Sequence, residues 1–423
     1  MTQIKTEENA TAADESLTVV DVPPDTPPDG GYGWVVIGAI SMLNCFTWGV
    51  AASYGVYLSH YLADQTYPDA APLDYAFIGG LEFGVAMLIA PAATILTREL
   101  GKRFCMISGL ILHAGGFIAA SFARRIWQLY LSQGLCIGLG IGLMFIPSSA
   151  ILPQWFLKRR SLANGISSAG SGIGGIAFSL GTNAMIEHVG LPWALRITGL
   201  ICLVANLAAT LLLRDRNHLV RPPQLGFAVH LLKRYDVLLL LSWAFVVMFG
   251  YMALLYSLSD FGLSIALSQS QASALTAFLN LGTAVGRPFV GVASDYFGRI
   301  KVACLLTFAC GILIFAIWIP ATNYGVTILF SVLSGALLGT FWMTIGPLSA
   351  EVAGLREVPS MLSLAWISVV LPCTFAEVIA LYLRRSGSSR PYLYPQIFAG
   401  LAYLVASLFL FALWRIKRKP GTI

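Results

Sequence analysis

The sequence predicts an all-α polytopic membrane protein with twelve transmembrane helices in two six-helix pseudo-repeats. Three observations lead to this prediction: long runs that are apolar on all sides, the placement of lysine and arginine, and a loop that recurs in both halves. Charged residues make up 11% of the 423 residues and hydrophobic residues make up 57%. A soluble domain carries about 25% charged residues, so the composition favours a membrane protein.

Twelve apolar runs follow Gly33. About 20 residues in a helix cross the hydrocarbon of a bilayer, and each run is long enough or nearly so. The run at 161–185 is the least hydrophobic. The predicted spans cover residues 34–59, 75–96, 104–122, 127–150, 161–185, 191–213, 237–259, 271–293, 302–320, 325–349, 358–383 and 393–415.

The segments outside these runs divide the chain into predicted domains. The polar, acidic N-terminal segment lacks the basic and apolar parts of a signal peptide, so it predicts a disordered tail. The predicted units are a cytoplasmic tail at 1–32, a six-helix bundle at 33–213, a cytoplasmic linker at 214–236, a second six-helix bundle at 237–415 and a cytoplasmic tail at 416–423.

Lysine and arginine predict the orientation. If the N-terminus is cytoplasmic, 19 of the 26 basic residues fall on the cytoplasmic side, as the positive-inside rule requires. We therefore expect both termini in the cytoplasm and the net charge of +6 to face anionic lipid. Nucleic acid need not be a partner. The sequence shows no retention or transit signal, which favours the plasma membrane.

A short loop recurs in the two halves. Pro91 and Gly101 are ten residues apart, and so are Pro288 and Gly298. The loops read TRELGK at 97–102 and SDYFGR at 294–299. Repeated six-helix units place a solute site between the halves, near the middle of the bilayer.

Three stretches resemble known families. The second loop resembles the major facilitator superfamily signature G-x-x-x-D-x-x-G-R/K, matched by Gly291, Asp295, Gly298 and Arg299. DGGYGWVV at 29–36 and QWFLKRRSLANGISSAGSGIGG at 154–175 resemble the monocarboxylate-transporter family, in particular its fungal members. The resemblance spans residues 29 to 415 and implies the major facilitator fold and transport of a small organic solute by alternating access.

Two positions depart from this family. Its animal proton-coupled lactate carriers have a lysine late in helix one and an aspartate four residues before an arginine in helix eight. The corresponding residues here are Ala52 and Thr283, so only Arg287 of that charged trio remains. The family resemblance therefore does not imply proton-linked lactate transport.

Arg287 is the first candidate site residue. An arginine at a helix centre costs about 2.5–3.5 kcal/mol on insertion scales, so it must face a wet cavity, a carboxylate or backbone carbonyls. One interpretation is a guanidinium that receives an anionic group of the solute. The alternative is a structural arginine tied to the loop at 294–299.

Glu82 and Glu377 are the other charges deep in apolar runs. A carboxyl group in hydrocarbon is stable when it is protonated or paired. Either residue is a candidate proton carrier, and the alternative is a neutral acid that bonds to a neighbouring helix. Both fall in the outer halves of their helices, whereas Arg287 falls in the inner half, which argues against a direct pair.

Further polar and aromatic residues are candidates for solute contacts, because they offer hydrogen bonds and stacking surfaces. Each of them alone is more typical of helix packing or of the membrane interface. The predicted set is Asn44, Tyr54, Tyr57, Asn280 and Trp342.

A third group predicts a gate where cytoplasmic helix ends converge. Asp295 opposes the positive charge of that side and is the strongest member. Ordinary positive-inside charge is the alternative for the basic members. The predicted gate comprises Asp295, Gly298, Arg299, Gly101, Lys102 and Arg103.

The glycine-rich GSGIGG at 170–175 lacks the lysine and the preceding strand of a phosphate loop. Gly170, Gly174 and Gly181 instead predict close packing of this helix against a neighbour. No cluster has the spacing of a metal site or a catalytic constellation, so we expect neither an enzyme nor a cofactor.

The leading prediction is a carrier of a small acidic organic solute, a monocarboxylate or related metabolite, with proton coupling left open. An exporter of a larger secondary metabolite is the alternative within the carrier class. A membrane solute sensor is the alternative of another class, although such a protein usually needs a signalling extension.

Overall fold

The computed structural model describes residues 26–63, 67, 70–385 and 387–418. The predicted N-terminal tail up to residue 25 lies outside the described residues, and so does the end of the predicted C-terminal tail at 419–423. The described ranges form helices and connections, without strands. Their long spans are α1 (Gly33–Leu58), α2 (Leu73–Leu88 and Ala90–Leu100), α3 (Lys102–Ala120), α4 (Ile126–Trp155), α5 (Arg160–Val189), α6 (Leu191–Leu212), α7 (Tyr235–Ser264), α8 (Gln269–Phe297), α9 (Arg299–Trp318), α10 (Tyr324–Ala353), α11 (Leu355–Leu383) and α12 (Leu393–Arg418).

Most of these spans suit a membrane. By length and composition, nine helices of the described part can cross a bilayer, and the bent pair in α2 brings the number to ten. The two that remain are α5 and α8, in line with the weak hydrophobicity of the run at 161–185. Both are rich in small and polar residues because they pack on each other in the middle of the protein.

Glycine lets α5 and α8 approach closely. A Cβ atom at Gly165 would lie 2.6 Å from the carbonyl oxygen of Arg287, and one at Gly172 would lie 2.7 Å from that of Asn280. Any larger residue would force the two backbones apart. This contact joins the first six helices to the last six.

The predicted close packing of α5 against a neighbour is confirmed at two of three positions. Cβ atoms at Gly170 and Gly174 would lie 2.1 and 2.3 Å from carbonyl oxygens of α1. The prediction for Gly181 is wrong, since nothing lies within 4 Å of a Cβ atom there.

The two sets of six helices meet mainly where α5 packs on α8, α2 on α11 and α5 on α10, and α4 also contacts α10 and α11. The connection from α6 to α7 contains two short helices, Asn217–Val220 and Val229–Leu232. Because the number of crossings is even, α1 begins and α12 ends at the same end of the bundle, which we call the basic end. The predicted domain boundaries and the assignment of this end to the cytoplasm stay predictions.

Several spans are interrupted near the middle. The helix of α1 breaks at Thr47, that of α2 at Ile89, that of α10 at Gly339 and that of α11 at Val369. Discontinuous helices of this kind expose backbone groups where a membrane protein encloses a cavity. The breaks in α1 and α10 lie beside the cavity described next.

Candidate functional site

A cavity lies between the two sets of helices. It encloses about 950 Å³ of space not filled by protein atoms, some of it open to the outside. Its walls come from α1, α2, α4 and α5 on one side and from α7, α8, α10 and α11 on the other. The side chains used below are Asn44, Trp48, Phe83, Phe145, Tyr251, Asn280, Thr283, Arg287, Trp342 and Trp366, together with the backbone of Gly339.

Arg287 is the charged residue that lines this cavity. It is 4% exposed, and its Nη1 donates to the carbonyl oxygen of Ser168 at 2.8 Å and to Oγ of Ser171 at 3.0 Å. Both acceptors are on α5, so the side chain reaches from the second set of helices to the first. Among the described residues, no carboxylate forms an ion pair with it. Its positive charge is therefore uncompensated.

The break in α10 makes room for the guanidinium. A Cβ atom at Gly339 would lie 2.3 Å from Nη2 of Arg287 and 2.9 Å from Cζ. The guanidinium therefore rests against bare backbone. Residue 339 contributes its lack of a side chain rather than a positive φ, because its φ is −77°.

We expect Gly339→Ala to reduce solute transport at least ten-fold with little loss of thermal stability. The new methyl group displaces the flexible end of Arg287, while alanine suits a helical backbone better than glycine. Transport in cells and thermal unfolding of the purified protein measure the two effects. Gly181→Ala is the matched control, since a methyl group there meets nothing within 4 Å; equal transport by the two variants would contradict the proposed fit.

Two amides also belong to the cavity wall. Nδ2 of Asn44 donates to the carbonyl oxygen of Ser167 at 2.8 Å, which leaves its Oδ1 without a partner. Nδ2 of Asn280 is also buried without a partner. The hydroxyl of Thr283 donates to the carbonyl oxygen of Gly335 at 3.1 Å. That position thus joins α8 to α10 rather than supplying a charge.

The structure brings four of the six predicted solute-contact residues to the cavity: Asn44, Asn280, Arg287 and Trp342. It places Tyr54 and Tyr57 elsewhere. The hydroxyl of Tyr54 donates to the carbonyl oxygen of Tyr75 at 2.9 Å, and that of Tyr57 bonds to Oγ1 of Thr198 at 3.2 Å.

Helical geometry explains why these two tyrosines miss the cavity. The lining residues of α1 follow an i, i+4, i+8 spacing through Asn44, Trp48 and Ala52, which is one helical face. Tyr54 and Tyr57 lie beyond the break at Thr47, on other faces, and point into the first set of helices. The prediction that they contact the solute is therefore not supported.

Aromatic residues form much of the cavity wall. The ring of Trp342 is stacked on that of Trp366 with centroids 5.8 Å apart and an angle of 20° between planes. Its centroid is 5.4 Å from that of Trp48 and 6.2 Å from that of Tyr251. Sequence reasoning identified Trp342 alone among these, because an aromatic residue in an apolar run carries no signal that separates a cavity wall from a packed core.

Glu82 is on α2 and Glu377 is on α11, two helices that contact each other across the two sets. Glu82 is 5% exposed, and Glu377 is half-buried. In the described part of the chain neither forms an ion pair with a basic side chain. Tyr54 contacts α2 at Gly79 and Tyr256 contacts it at Phe83, so both tyrosines lie near the segment of α2 that carries Glu82.

Asp295 connects the two sets of helices at the basic end. Its carboxylate accepts hydrogen bonds from the backbone N–H groups of Ser161 at 3.0 Å and Leu162 at 2.8 Å. These groups begin α5, where a negative charge is stabilised by the helix dipole. Arg299 forms an ion pair with Asp295 at 3.3 Å and donates to the carbonyl oxygen of Leu157 at 2.5 Å.

The other predicted gate residues divide into two groups. Gly298 has φ 100° and Gly101 has φ 83° at the starts of α9 and α3, so the repeated loop has the same left-handed backbone in both halves. Nζ of Lys102 binds Asp215 at 2.7 Å. Lys102 therefore holds the connection from α6 to α7 rather than the facing helix set, and Arg103 is exposed.

The two stretches that carry the monocarboxylate-transporter resemblance contact each other. Oδ1 of Asp29 accepts hydrogen bonds from the backbone N–H groups of residues 157, 158 and 159 at 2.8, 2.8 and 3.2 Å. The ring of Trp34 lies 5.5 Å from that of Phe156. The loop that Asp29 holds is the loop that meets Asp295 and Arg299, so both sequence motifs belong to one structure at the basic end.

Two groups of helices around a central cavity are the architecture of a membrane transporter rather than of an enzyme. The model of the Major Facilitator Superfamily matches residues 37–268 and 240–423. The chain therefore belongs to the Major Facilitator Superfamily, and it is a multi-pass membrane transporter.

Two similar proteins come from fungi. The chain is 37% identical over 388 residues to the probable transporter MCH2 of Saccharomyces cerevisiae, which covers 90% of this chain and 82% of that protein. It is 31% identical over 387 residues to the fujikurins efflux protein of Gibberella fujikuroi, again covering 90% and 82%. Among solved structures, the proton:xylose symporter XylE bound to 6-bromo-6-deoxy-D-glucose matches with a TM-score of 0.72 and 11% identity, over 90% of this chain and 95% of that one. This last similarity concerns the fold alone.

Proposed function

We propose that the protein carries small organic anions, monocarboxylates or related acidic metabolites, by alternating access through the central cavity. The observation that supports this most is Arg287, a buried guanidinium in the cavity wall with no carboxylate partner among the described residues. A buried charge is stable when an opposite charge joins it. In this proposal the solute supplies that charge, and Asn44, Asn280 and Trp342 contact the rest of it.

The cavity opens to the two sides of the membrane in turn. Asp295, Gly298 and Arg299 hold the basic end closed, and their contacts with the start of α5 break when that end opens. Gly101, Lys102 and Arg103 form the equivalent loop in the first half, where Lys102 secures the connection from α6 to α7. We place the basic end in the cytoplasm and the protein in the plasma membrane, in keeping with the positive-inside bias.

Glu82 and Glu377 are the proposed proton carriers. Glu82 is buried in α2 and Glu377 is half-buried in α11, and neither has a basic partner in the described structure. A carboxyl group there is stable when it holds a proton, and movement of the two helix sets changes its access to water. Proton movement with an anion would reduce the net charge that crosses the membrane.

We expect Glu82→Gln or Glu377→Gln to abolish accumulation driven by a pH gradient while solute exchange continues. Glutamine keeps the shape and hydrogen bonds of the neutral acid but cannot release a proton. Uptake against exchange in proteoliposomes, with and without a pH gradient, separates the two activities. Glu99→Gln is the control because that side chain is exposed at the basic end. Full pH-driven accumulation by both variants would show that neither acid carries the coupled proton, and an absence of pH-driven accumulation in the parent protein would indicate uniport.

An exporter of a larger secondary metabolite is the second candidate. One observation favours it: a relative that aligns over 90% of this chain is an efflux protein for fujikurins. Uptake and efflux in cells that lack or overproduce the protein distinguish the two directions of transport.

The function is tested with purified protein in liposomes. A panel of organic acids, including lactate and pyruvate, is measured by uptake of label and by an internal pH dye, and liposomes without protein give the passive diffusion. We expect exchange of at least one anionic class and no exchange of the matched neutral amides. Exchange of neutral solutes alone would overturn the proposal.

A further inference from the structure

The central cavity is lined by several buried polar atoms that lack partners. In the described part of the chain, 13 buried side-chain nitrogen or oxygen atoms have no hydrogen-bond partner. Five of them belong to cavity residues: Oδ1 of Asn44, Nε1 of Trp48, Nδ2 of Asn280, Nε of Arg287 and Nε1 of Trp366. Buried polar groups in native proteins are almost always paired. This concentration indicates a ligand that bonds to them.

The five atoms differ in whether they donate or accept a hydrogen bond. Four are N–H donors, and one, Oδ1 of Asn44, is an acceptor. Nε of Arg287 and Nδ2 of Asn280 belong to one helix, α8, and the N–H groups of Trp48 and Trp366 are on α1 and α11 across the aromatic part of the wall. The matching ligand therefore has oxygen acceptors in two places, one on its anionic group and one on its body.

The aromatic part of the wall suits a flat ligand. Trp342 has ring neighbours on several sides, with Trp48, Phe145, Tyr251 and Trp366 all within 6.3 Å between centroids. It is nevertheless only half-buried, so part of its surface faces open space. Stacked and edge-to-face arrangements are the favoured contacts of aromatic rings. A planar body gains such contacts and a saturated ring of the same size does not.

The charge of the residues that line the cavity restricts the number and sign of charges on the ligand. Arg287 is the charged side chain among the lining residues that the structure describes. One anionic group is therefore compensated, and a second anionic group on the body would meet indole and phenyl rings. An acid with two carboxylates or a basic amine does not fit this arrangement.

We propose that the transported anion is an aromatic monocarboxylate whose ring bears a second oxygen acceptor. This inference rests on the proposed function, since it assigns the anionic group to Arg287. The carboxylate meets Arg287, the ring lies against Trp342, and the ring oxygen accepts from the indole N–H groups of Trp48 and Trp366.

Calorimetric titration of the purified protein in detergent tests this specificity. The probes are 4-methoxybenzoate, benzoate, cyclohexanecarboxylate and lactate, which share the carboxylate and differ in the body. We expect benzoate to bind about ten-fold more tightly than cyclohexanecarboxylate, because the two differ in the planar π-system rather than in charge. The methoxy oxygen is expected to increase the affinity further, and lactate to bind most weakly.

Two variants test whether the aromatic part of the cavity wall causes the preference for benzoate over cyclohexanecarboxylate. Trp342→Leu is expected to remove the difference between benzoate and cyclohexanecarboxylate. Trp127→Leu is the control, since that tryptophan is 52% exposed at the start of α4, away from the cavity. Binding that stays selective in Trp342→Leu would overturn the assignment of the ring to this wall.

The remaining outcomes are distinguishable. Equal affinity of the parent protein for benzoate and cyclohexanecarboxylate, or tighter binding of lactate, would overturn the inference and leave the anion carrier in place. Failure of every carboxylate in binding and in liposome exchange would overturn the inference and the proposed function together.

Discussion

Arg287→Ala abolishes transport of organic anions without lowering the thermal stability of the protein. The side chain carries a positive charge that no described carboxylate balances, and such a charge costs about 2.5–3.5 kcal/mol in the membrane interior. Replacing Arg287 by alanine therefore removes this unfavourable free energy, although it also removes the hydrogen bonds to Ser168 and Ser171. Transport falls at least a hundred-fold because the anion loses its counter-charge. Exchange in proteoliposomes and thermal unfolding of the same preparation measure the pair of effects.

Arg196→Ala is the matched control. That arginine donates to Oγ of Ser121 at 3.0 Å and lies over the rings of Phe122 and Trp193, so its contacts are those of a structural residue. We expect it to lower the unfolding temperature and to spare transport. The opposite result, a less stable Arg287→Ala protein that still exchanges anions, would make Arg287 a structural residue.

Asp295→Asn shifts the protein towards the state that is open at the basic end. Asparagine has a single acceptor oxygen where the carboxylate has two, and it lacks the charge that pairs with Arg299 and with the start of α5. A hydrogen bond to a charged group contributes about 1.5–3 kcal/mol, which corresponds to a roughly 10- to 150-fold change in the equilibrium. Ser149→Cys in a cysteine-free background reports the shift through its labelling rate from the basic end, since Ser149 lines the cavity.

Asp215→Asn is the comparison for this experiment. It removes an ion pair at the same end, but its partner Lys102 belongs to the first set of helices. We expect labelling at position 149 to stay near the parent rate in Asp215→Asn and to rise in Asp295→Asn. Equal labelling rates in both variants would show that Asp295 does not hold the basic end closed.

The fold was accessible from the sequence because the membrane restricts the choices. Long apolar runs have one stable form in hydrocarbon, the helix, and the repeated loop around Gly101 and Gly298 indicated the two halves. Arg287 stood out for the same reason, since a charge in an apolar run needs an explanation. Asp295 stood out because it opposed the charge of its side.

The cavity wall was less accessible because its signal is three-dimensional. Trp48, Tyr251 and Trp366 lie in apolar runs that contain many aromatic residues, and only the packing of α1, α7 and α11 brings them together. Gly339 resembles any packing glycine until the guanidinium of Arg287 is placed against it. Tyr54 lies outside the cavity because it is two residues beyond Ala52 and so on another side of the helix, and the sequence alone does not show which face of α1 reaches the cavity.

The measurement that tests the central claim most directly compares the binding affinity of a carboxylate with that of the corresponding neutral amide. Benzoate and benzamide have nearly the same shape, so the difference in their affinity for the purified protein isolates the contribution of charge. With Arg287 in place, benzoate is expected to bind and benzamide to bind at least ten-fold more weakly; in Arg287→Ala this difference disappears. Equal binding of benzoate and benzamide by the parent protein would contradict the role of Arg287 as the counter-charge of the solute.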